Sequence, residues 1–237
     1  MSRVTWNSAT IDSDLQEYEN NLFRFTDVTR WRAILNLVDT ASEAEVFQSV
    51  LDVNRRMSKQ VSQKLHPLLA QPFEMRDPAH PSRFRGGYEP GVLYAAETVS
   101  TCALERGFHK VRVVRESPEL ILGPSIGQTL INFDVRTRAI DIRVAPYSSK
   151  HRELADPNSY TKSQEFGVVA RSAGAGAIIY SSARGTGEGP CVAVLRSDAL
   201  NSGQPNWIKN DWTVRVTREK SIWINSESNQ TLEFKYV

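Results

Sequence analysis

The stretch that decides the fold is residues 81–109, which read PSRFRGGYEPGVLYAAETVSTCALERGFH. At its start, residues 82–85 alternate charged and aromatic side chains. An extended conformation there would place Arg83 and Arg85 on one face and Phe84 on the other. The Gly-Gly and Pro-Gly pairs that follow are typical of turns, and they predict a tight connection before the next element.

A strand and then a helix are predicted after this connection. Residues 92–96 are a short apolar run, which indicates a buried strand that carries Tyr94. Thr98 is suited to cap the start of a helix, and Gly107 stands where a glycine commonly ends one, so we expect two helical turns between them. Glu105 would then lie in the last turn, where the helix dipole disfavours an anion.

The composition is typical of an ordinary globular domain. The chain has 237 residues, of which 40% are hydrophobic and 24% charged, and its formal net charge is only +2. A dedicated nucleic-acid-binding protein would usually be more basic, so no direct nucleic-acid partner is expected. The N-terminus lacks an apolar signal segment and no run approaches a membrane span. We therefore expect a cytoplasmic protein without a membrane partner.

The cysteines and histidines do not suggest a metal site. Cys102 and Cys191 lie in apolar runs, which favours buried free thiols, although the sequence leaves a disulfide between them open. The four histidines have no ligand-like spacing relative to one another or to the cysteines. No bound metal is therefore expected.

The pattern along the chain predicts an α+β fold, with a helical N-terminal part over residues 1–64 and a strand-built core over residues 65–237. Residues 1–20 are polar and predict a loosely held arm. Residues 42–54 predict an amphipathic helix that starts with a capping box, and residues 158–173 predict a second helix. Strand patterns occupy residues 110–115, 129–134, 139–145, 177–180, 191–195, 212–217, 221–225 and 231–236.

Three residues of the deciding stretch are candidates for chemistry, although each also has a structural explanation. Arg83 would be a solvated charge on an edge strand, Tyr94 a core residue with its hydroxyl at the rim, and Glu105 a carboxylate that points into water. Composition and spacing do not choose between these explanations and a functional site.

Two blocks of the sequence resemble the RES-domain family. The run S-R-F-R at 82–85, followed by G-V-L-Y-A-A-E-T-V-S-T-C-A-L-E at 91–105, is similar to the core motif of that family. The run I-I-Y-S-S-A-R at 178–184, followed by C-V-A-V-L at 191–195, resembles the family's second block, which carries its serine. The blocks stand in the family's order, and the lead L-H-P-L-L-A-Q-P-F at 65–73 resembles the run-in of one branch.

The resemblance implies a fold similar to ADP-ribosyltransferases and a role as the toxin of a bacterial toxin–antitoxin pair. Such a toxin degrades NAD⁺ by cleaving the nicotinamide–ribose bond, and its partner is an Xre-type antitoxin protein. NAD⁺ would be the substrate rather than a cofactor, with water or inorganic phosphate as the acceptor. Transfer of ADP-ribose to a macromolecule and a non-catalytic NAD-binding module are the alternatives.

The resemblance also implies which residues form the site. Carried over by position, Arg83, Tyr94 and Glu105 would be catalytic, and Ser182 and Arg76 would bind the substrate. Arg76 is assigned only because it stands near the place of a further arginine in the family.

The position of the site serine is open between two neighbours. Many relatives have Tyr-Pro-Ser where this chain has Tyr180-Ser181-Ser182. Direct alignment favours Ser182, but loss of the proline can alter the turn and bring Ser181 forward.

The chemistry of NAD⁺ cleavage suits these residue types. Loss of nicotinamide leaves positive charge on the ribose, as in glycoside hydrolysis, and the carboxylate of Glu105 can stabilise that charge. The guanidinium of Arg83 can hold a pyrophosphate through two hydrogen bonds, which a lysine cannot do in the same geometry. Tyr94 offers a flat face for the nicotinamide or a wall that excludes water, and Ser182 can hydrogen-bond a ribose or a phosphate.

Overall fold

The computed structural model describes residues 6–27, 65–74, 81–117, 125–157, 159–185 and 188–236. Its helices are α1 (Ser8–Asp14), α2 (Pro67–Glu74), α3 (Val99–Glu116), α4 (His151–Leu154) and α5 (Thr161–Ser172). Its strands are β1 (Gln16–Asp27), β2 (Leu93–Ala96), β3 (Ile126–Asp141), β4 (Ala177–Tyr180), β5 (Cys191–Val194), β6 (Trp207–Val216), β7 (Lys220–Asn225) and β8 (Thr231–Lys235). Short 3₁₀ helices occupy Tyr147–Lys150 and Ser197–Ala199.

The strands form one sheet that closes on itself. Their order is β1-β2-β5-β4-β3-β6-β7-β8, and β1 also pairs with β3, so that five strands complete a ring. Strands β6, β7 and β8 extend the sheet beyond β3. Every pairing is antiparallel except that of β3 with β4. This mixed architecture of helices around a strand-built core confirms the predicted α+β class.

Residues 6–20 lead through helix α1 into strand β1 of the sheet, so the prediction of a loose arm over residues 1–20 was wrong for its described part. Asn7 caps α1 with its side chain, and all twelve residues of β1 pair with β3. The strand buries Leu22 and Phe25 while most of its other side chains are polar. Its sequence looks loose because the long partner strand, rather than an apolar pattern, holds it in place.

Helix α3 begins as predicted but does not end at Gly107. The side chain of Thr98 accepts a backbone hydrogen bond from the first turn, which confirms the N-cap. Gly107 is buried inside the helix, where an added Cβ would overlap the hydroxyl groups of Tyr236 and Ser221. The glycine therefore allows the C-terminal strands to approach the helix closely, and it does not terminate the helix.

The predicted strand over residues 110–115 was also wrong, because these residues form the last part of α3. Val111 and Val114 are buried three residues apart while Val113 is exposed, which is helical spacing. Glu105 therefore lies in the middle of the helix rather than in its last turn, and the argument from the helix dipole no longer applies.

Residues 82–85 form a turn rather than the predicted extended piece. The backbone N–H of Ser82 donates to the carbonyl oxygen of Arg85 (2.8 Å), and the return hydrogen bond measures 3.2 Å. Arg83 and Arg85 are only 8% and 3% exposed. They are therefore buried cations, which excludes the alternative of solvated charges on an edge strand.

The remaining strand predictions differ from the structure mainly in their limits. The two strands predicted over residues 129–134 and 139–145 are one continuous strand, β3, which ends at Asp141. The strands predicted near residues 177–180 and 191–195 and in the C-terminal tail are confirmed as β4, β5 and β6–β8, and the second predicted helix is α5. The helix predicted over residues 42–54 lies outside the described residues, and the division after residue 64 stays a prediction.

Candidate active site

A cavity of about 570 Å³ lies beside helix α3, and the three predicted catalytic residues all line it. Arg83 comes from the turn before β2, Tyr94 from β2 and Glu105 from α3. This volume is in the range of sites that bind small molecules. The sheet and the helix thus bring together residues that the sequence places in one motif.

One face of α3 supplies a large part of the cavity wall. Cys102, Glu105, Arg106, His109 and Arg112 all line the cavity, and their spacing is that of neighbouring positions on a helix. The extension of the helix beyond Gly107 is what adds the last two of these residues to the wall. A helix that ended after two turns would have left them out.

The carboxylate of Glu105 is held by a serine and a cysteine. The hydroxyl of Ser182 donates to Oε1 of Glu105 (2.6 Å), and the Sγ of Cys191 lies 3.8 Å from the same oxygen. Ser182 also accepts a hydrogen bond from the backbone N–H of Arg184 (3.1 Å). Of the two serines left open by the sequence, Ser182 is the one seen on the carboxylate.

The two cysteines are buried free thiols, as predicted. Burial raises the pKa of Cys102 to about 12. Burial, together with the negative charge of Glu105, also raises the pKa of Cys191, which therefore stays a protonated donor at neutral pH. Neither thiol has the lowered pKa expected of a cysteine nucleophile.

The hydroxyl of Tyr94 organises the turn that carries Arg83. It accepts a hydrogen bond from the backbone N–H of Phe84 (3.0 Å) and lies 2.8 Å from the Oγ of Ser82. Burial raises the pKa of Tyr94, so the phenol remains neutral. Tyr94 therefore contributes to the cavity wall and also fixes the position of the neighbouring arginine.

The guanidinium of Arg83 is oriented by two carbonyl groups and a ring. Its Nη1 donates to the carbonyl oxygens of Leu154 (3.0 Å) and Asp156 (3.2 Å), and its Cζ lies 4.8 Å from the ring centre of Tyr160. These contacts hold a cation at the cavity without neutralising its charge.

The cavity is strongly cationic. Six arginines line it, and Glu105 supplies the single carboxylate among the described lining residues. The ring of His109 adds no charge at neutral pH, because desolvation and the nearby arginines Arg112 and Arg184 lower its pKa to about 4. The six are Arg24, Arg83, Arg85, Arg106, Arg112 and Arg184.

Sequence reasoning missed several of these residues. The guanidinium of Arg184 stacks on Phe108, with its Cζ 3.7 Å from the ring centre, and its Nη2 donates to the hydroxyl of Tyr160 (2.9 Å). Arg184 does follow the predicted Ser182 closely in the second block, which is the one local signal for it. Arg24 lies on β1, far from both sequence blocks that resemble the family, so no neighbouring motif indicates its role.

The sequence also predicted a substrate-binding role for Arg76 and no bound metal. Arg76 lies outside the described residues, so its role stays a prediction. Within the described ranges, no group of three or more His, Cys, Asp or Glu side chains is placed to hold a metal ion. The same ranges contain no helix long and apolar enough to cross a membrane.

The arrangement favours an anionic ligand that develops positive charge at one point. Arginines bind phosphate groups through charge-assisted hydrogen bonds. A single oriented carboxylate in a largely cationic wall stabilises a cation that forms beside it. A phosphate-containing sugar conjugate that reacts through an oxocarbenium ion has both properties.

Comparisons with known proteins identify the family. No curated protein matches the chain. Among solved structures, a chain of the crystal structure of the M. tuberculosis MbcT–MbcA toxin–antitoxin complex is 14% identical; the match covers 89% of this chain and 92% of that one, with a TM-score of 0.48. The family model described as the RES domain matches residues 56–217, which is more than half of the sequence. The chain therefore belongs to the RES domain family.

Proposed function

We propose that the protein is the toxin of a toxin–antitoxin pair and that it cleaves the nicotinamide–ribose bond of NAD⁺. Membership of the RES domain family and the charge pattern of the cavity support this proposal. The observation that carries it is the carboxylate of Glu105, the single one among the described lining residues, which Ser182 holds beside a wall rich in arginine.

The arginines would bind the pyrophosphate of NAD⁺. Arg83 is buried and oriented by backbone carbonyl groups, which leaves its positive charge to be offset by a ligand. Arg184 is oriented in a similar way by Tyr160 and by the ring of Phe108. Because such side chains lose little entropy on binding, they favour a fixed position of the dinucleotide.

Glu105 would act on the ribose. As the bond between C1′ and the nicotinamide nitrogen breaks, its electron pair moves to the nitrogen and neutralises the pyridinium ring. Positive charge then develops on the ribose as an oxocarbenium ion. The carboxylate, kept in place by Ser182, would stabilise that charge in a partly desolvated site, where electrostatic interactions are stronger than in water.

An acceptor completes the reaction at C1′. Attack by water gives ADP-ribose and releases one proton, whereas attack by inorganic phosphate gives ADP-ribose 1″-phosphate. In both cases nicotinamide leaves as a neutral molecule. Consumption of NAD⁺ in this way would arrest growth of the host cell unless an Xre-type antitoxin bound the protein.

Product analysis tests the proposal. Purified protein is incubated with NAD⁺ in buffers with and without inorganic phosphate, and the products are identified by ¹H and ³¹P NMR. We expect one nicotinamide per NAD⁺ consumed, and the second product names the acceptor. ADP-ribose found on a macromolecule would instead indicate a transferase, and NAD⁺ that binds without being consumed would indicate a non-catalytic module.

A further inference from the structure

Arg24 is a cavity residue from the part of the chain that the family model does not match. It lies on β1, whereas the RES domain match begins at residue 56. Its Nη1 donates to the carbonyl oxygen of Tyr94 (2.8 Å), which orients the guanidinium at the cavity. Its Nε is buried and has no hydrogen-bond partner among the described residues.

Arg106, on helix α3, also has one partnered guanidinium nitrogen and one buried nitrogen without a partner among the described residues. Its Nη2 forms an ion pair with Asp27 (2.7 Å), and its own Nε is buried without a hydrogen-bond partner in the described part of the chain. Asp27 also pairs with Lys110 (2.7 Å), so one carboxylate is shared between two cations. Both arginines line the same cavity.

The two arginines influence each other as like charges. Desolvation, reinforced by the positive charge of Arg106, lowers the pKa of Arg24 to about 10, so Arg24 stays charged at neutral pH at a cost. Buried donors without a partner and repulsion between two neighbouring cations are both unfavourable. A bound anion that accepted hydrogen bonds from both side chains would remove both penalties.

We propose that Arg24 and Arg106 form an anion subsite in the cavity that binds a phosphate group. The choice of phosphate over other anions rests on the proposed function, because NAD⁺ carries two phosphates and a free phosphate ion is one candidate acceptor. The subsite joins β1, outside the family match, to the helix that carries Glu105. The N-terminal strand is therefore part of the binding site as well as of the sheet.

Binding measurements on single variants test the subsite without any turnover. ADP-ribose and sodium phosphate are titrated separately into wild type, Arg24→Gln and the control Arg136→Gln by calorimetry in a chloride buffer. Arg136 is a matched control because it is exposed on β3 and pairs only loosely with Glu19 (3.6 Å). We expect Arg24→Gln to weaken binding of at least one probe by about tenfold or more, and Arg136→Gln to leave both Kd values unchanged.

The pattern of loss identifies the source of the phosphate. Weaker binding of ADP-ribose alone assigns the subsite to a phosphate of the dinucleotide, and weaker binding of inorganic phosphate alone assigns it to the free ion. Weaker binding of both probes shows that one subsite accepts either the dinucleotide phosphate or the free phosphate ion. Unchanged Kd values in folded Arg24→Gln, or wild-type protein that binds neither probe, would overturn the subsite.

A second variant, Arg106→Gln, allows the same test if Arg24→Gln does not fold. Arg24 supports the carbonyl of Tyr94, whereas the side chain of Arg106 is one-third exposed (33%) and is less important for packing. Folded Arg106→Gln should show the same losses, and wild-type affinity there would equally refute the subsite. Release of nicotinamide by wild type is measured independently, so failure of the subsite and failure of the proposed function give different results.

Discussion

The Glu105→Gln variant tests the role of the carboxylate most directly. Glutamine has the shape of glutamate, and its side-chain oxygen can still accept the hydrogen bond that Ser182 donates over 2.6 Å in the wild type. The substitution therefore removes the charge while it keeps the packing. We expect the free energy of unfolding to change by less than about 1 kcal/mol.

The lost charge should act on the transition state. Glu105 is the single carboxylate among the described lining residues, so no neighbour in that set replaces it beside the ribose. Loss of one preorganised electrostatic partner typically lowers kcat by about 10²–10³, or about 3–4 kcal/mol. The KM for NAD⁺ should stay the same or fall, because the cavity becomes more positive towards the pyrophosphate.

The assay follows nicotinamide release by NMR at saturating NAD⁺, together with thermal melting by circular dichroism. Glu165→Gln is the matched control, because Glu165 is exposed on α5 and pairs with Lys162 on the same helix (2.7 Å). The control should retain wild-type kcat and KM. A folded Glu105→Gln protein that turns over NAD⁺ at the wild-type rate would refute the catalytic role of Glu105.

Three further predictions concern the support of the site and the stability of the fold. Ser182→Ala should lower kcat about tenfold to hundredfold, because the carboxylate loses a charge-assisted hydrogen bond; an equal loss in Ser181→Ala would contradict the assignment of Ser182. Gly107→Ala should lower the free energy of unfolding by about 1–3 kcal/mol in urea titrations despite the higher helix propensity of alanine, because the methyl group meets the hydroxyl of Tyr236; an unchanged midpoint would show that the strands can move away. Burial opposes ionisation of Asp27, but Arg106, Lys110 and Gln128 outweigh this effect and lower the pKa of Asp27 to about 2. The pKa of an aspartate in an unfolded chain is higher, about 3.9. The ionised Asp27 therefore contributes its full stabilisation above about pH 3.9, and this stabilisation is lost as the pH falls through about 2. The stability difference between wild type and Asp27→Asn should therefore shrink from pH 6 to pH 2, and a constant difference would rule out this electrostatic origin.

Local patterns predicted those elements whose stabilising residues lie within a few positions. The apolar run of β2, the N-cap at Thr98 and the short buried strands β4 and β5 were all predicted from adjacent residues. The grouping of Arg83, Tyr94 and Glu105 as a site was also predicted, but through the resemblance to the RES-domain family, since composition and spacing alone did not select them. The interactions that determine these strands and this helix start join residues that are close together in the sequence, so a local pattern predicts them.

Elements held by distant partners were predicted wrongly. Helix α3 passes through Gly107 because Tyr236 and Ser221 pack against it, and these residues are more than 100 positions away. Strand β1 forms because β3 supplies hydrogen bonds to all of it, and its own polarity does not show this. A local rule for glycine or for polar segments could not anticipate contacts of this kind.

The sequence by itself determined the α+β class, the positions of most strands along the chain and the motif that carries the candidate catalytic residues. Only the tertiary structure decided the electrostatics of the cavity. Arg24 lies on β1, Arg106 on α3 and Arg184 in the segment after β4, each about 80 residues from the next, and closure of the sheet against α3 brings them together. Charge acts through space, and so its effect on a site depends on distances that a linear pattern does not contain.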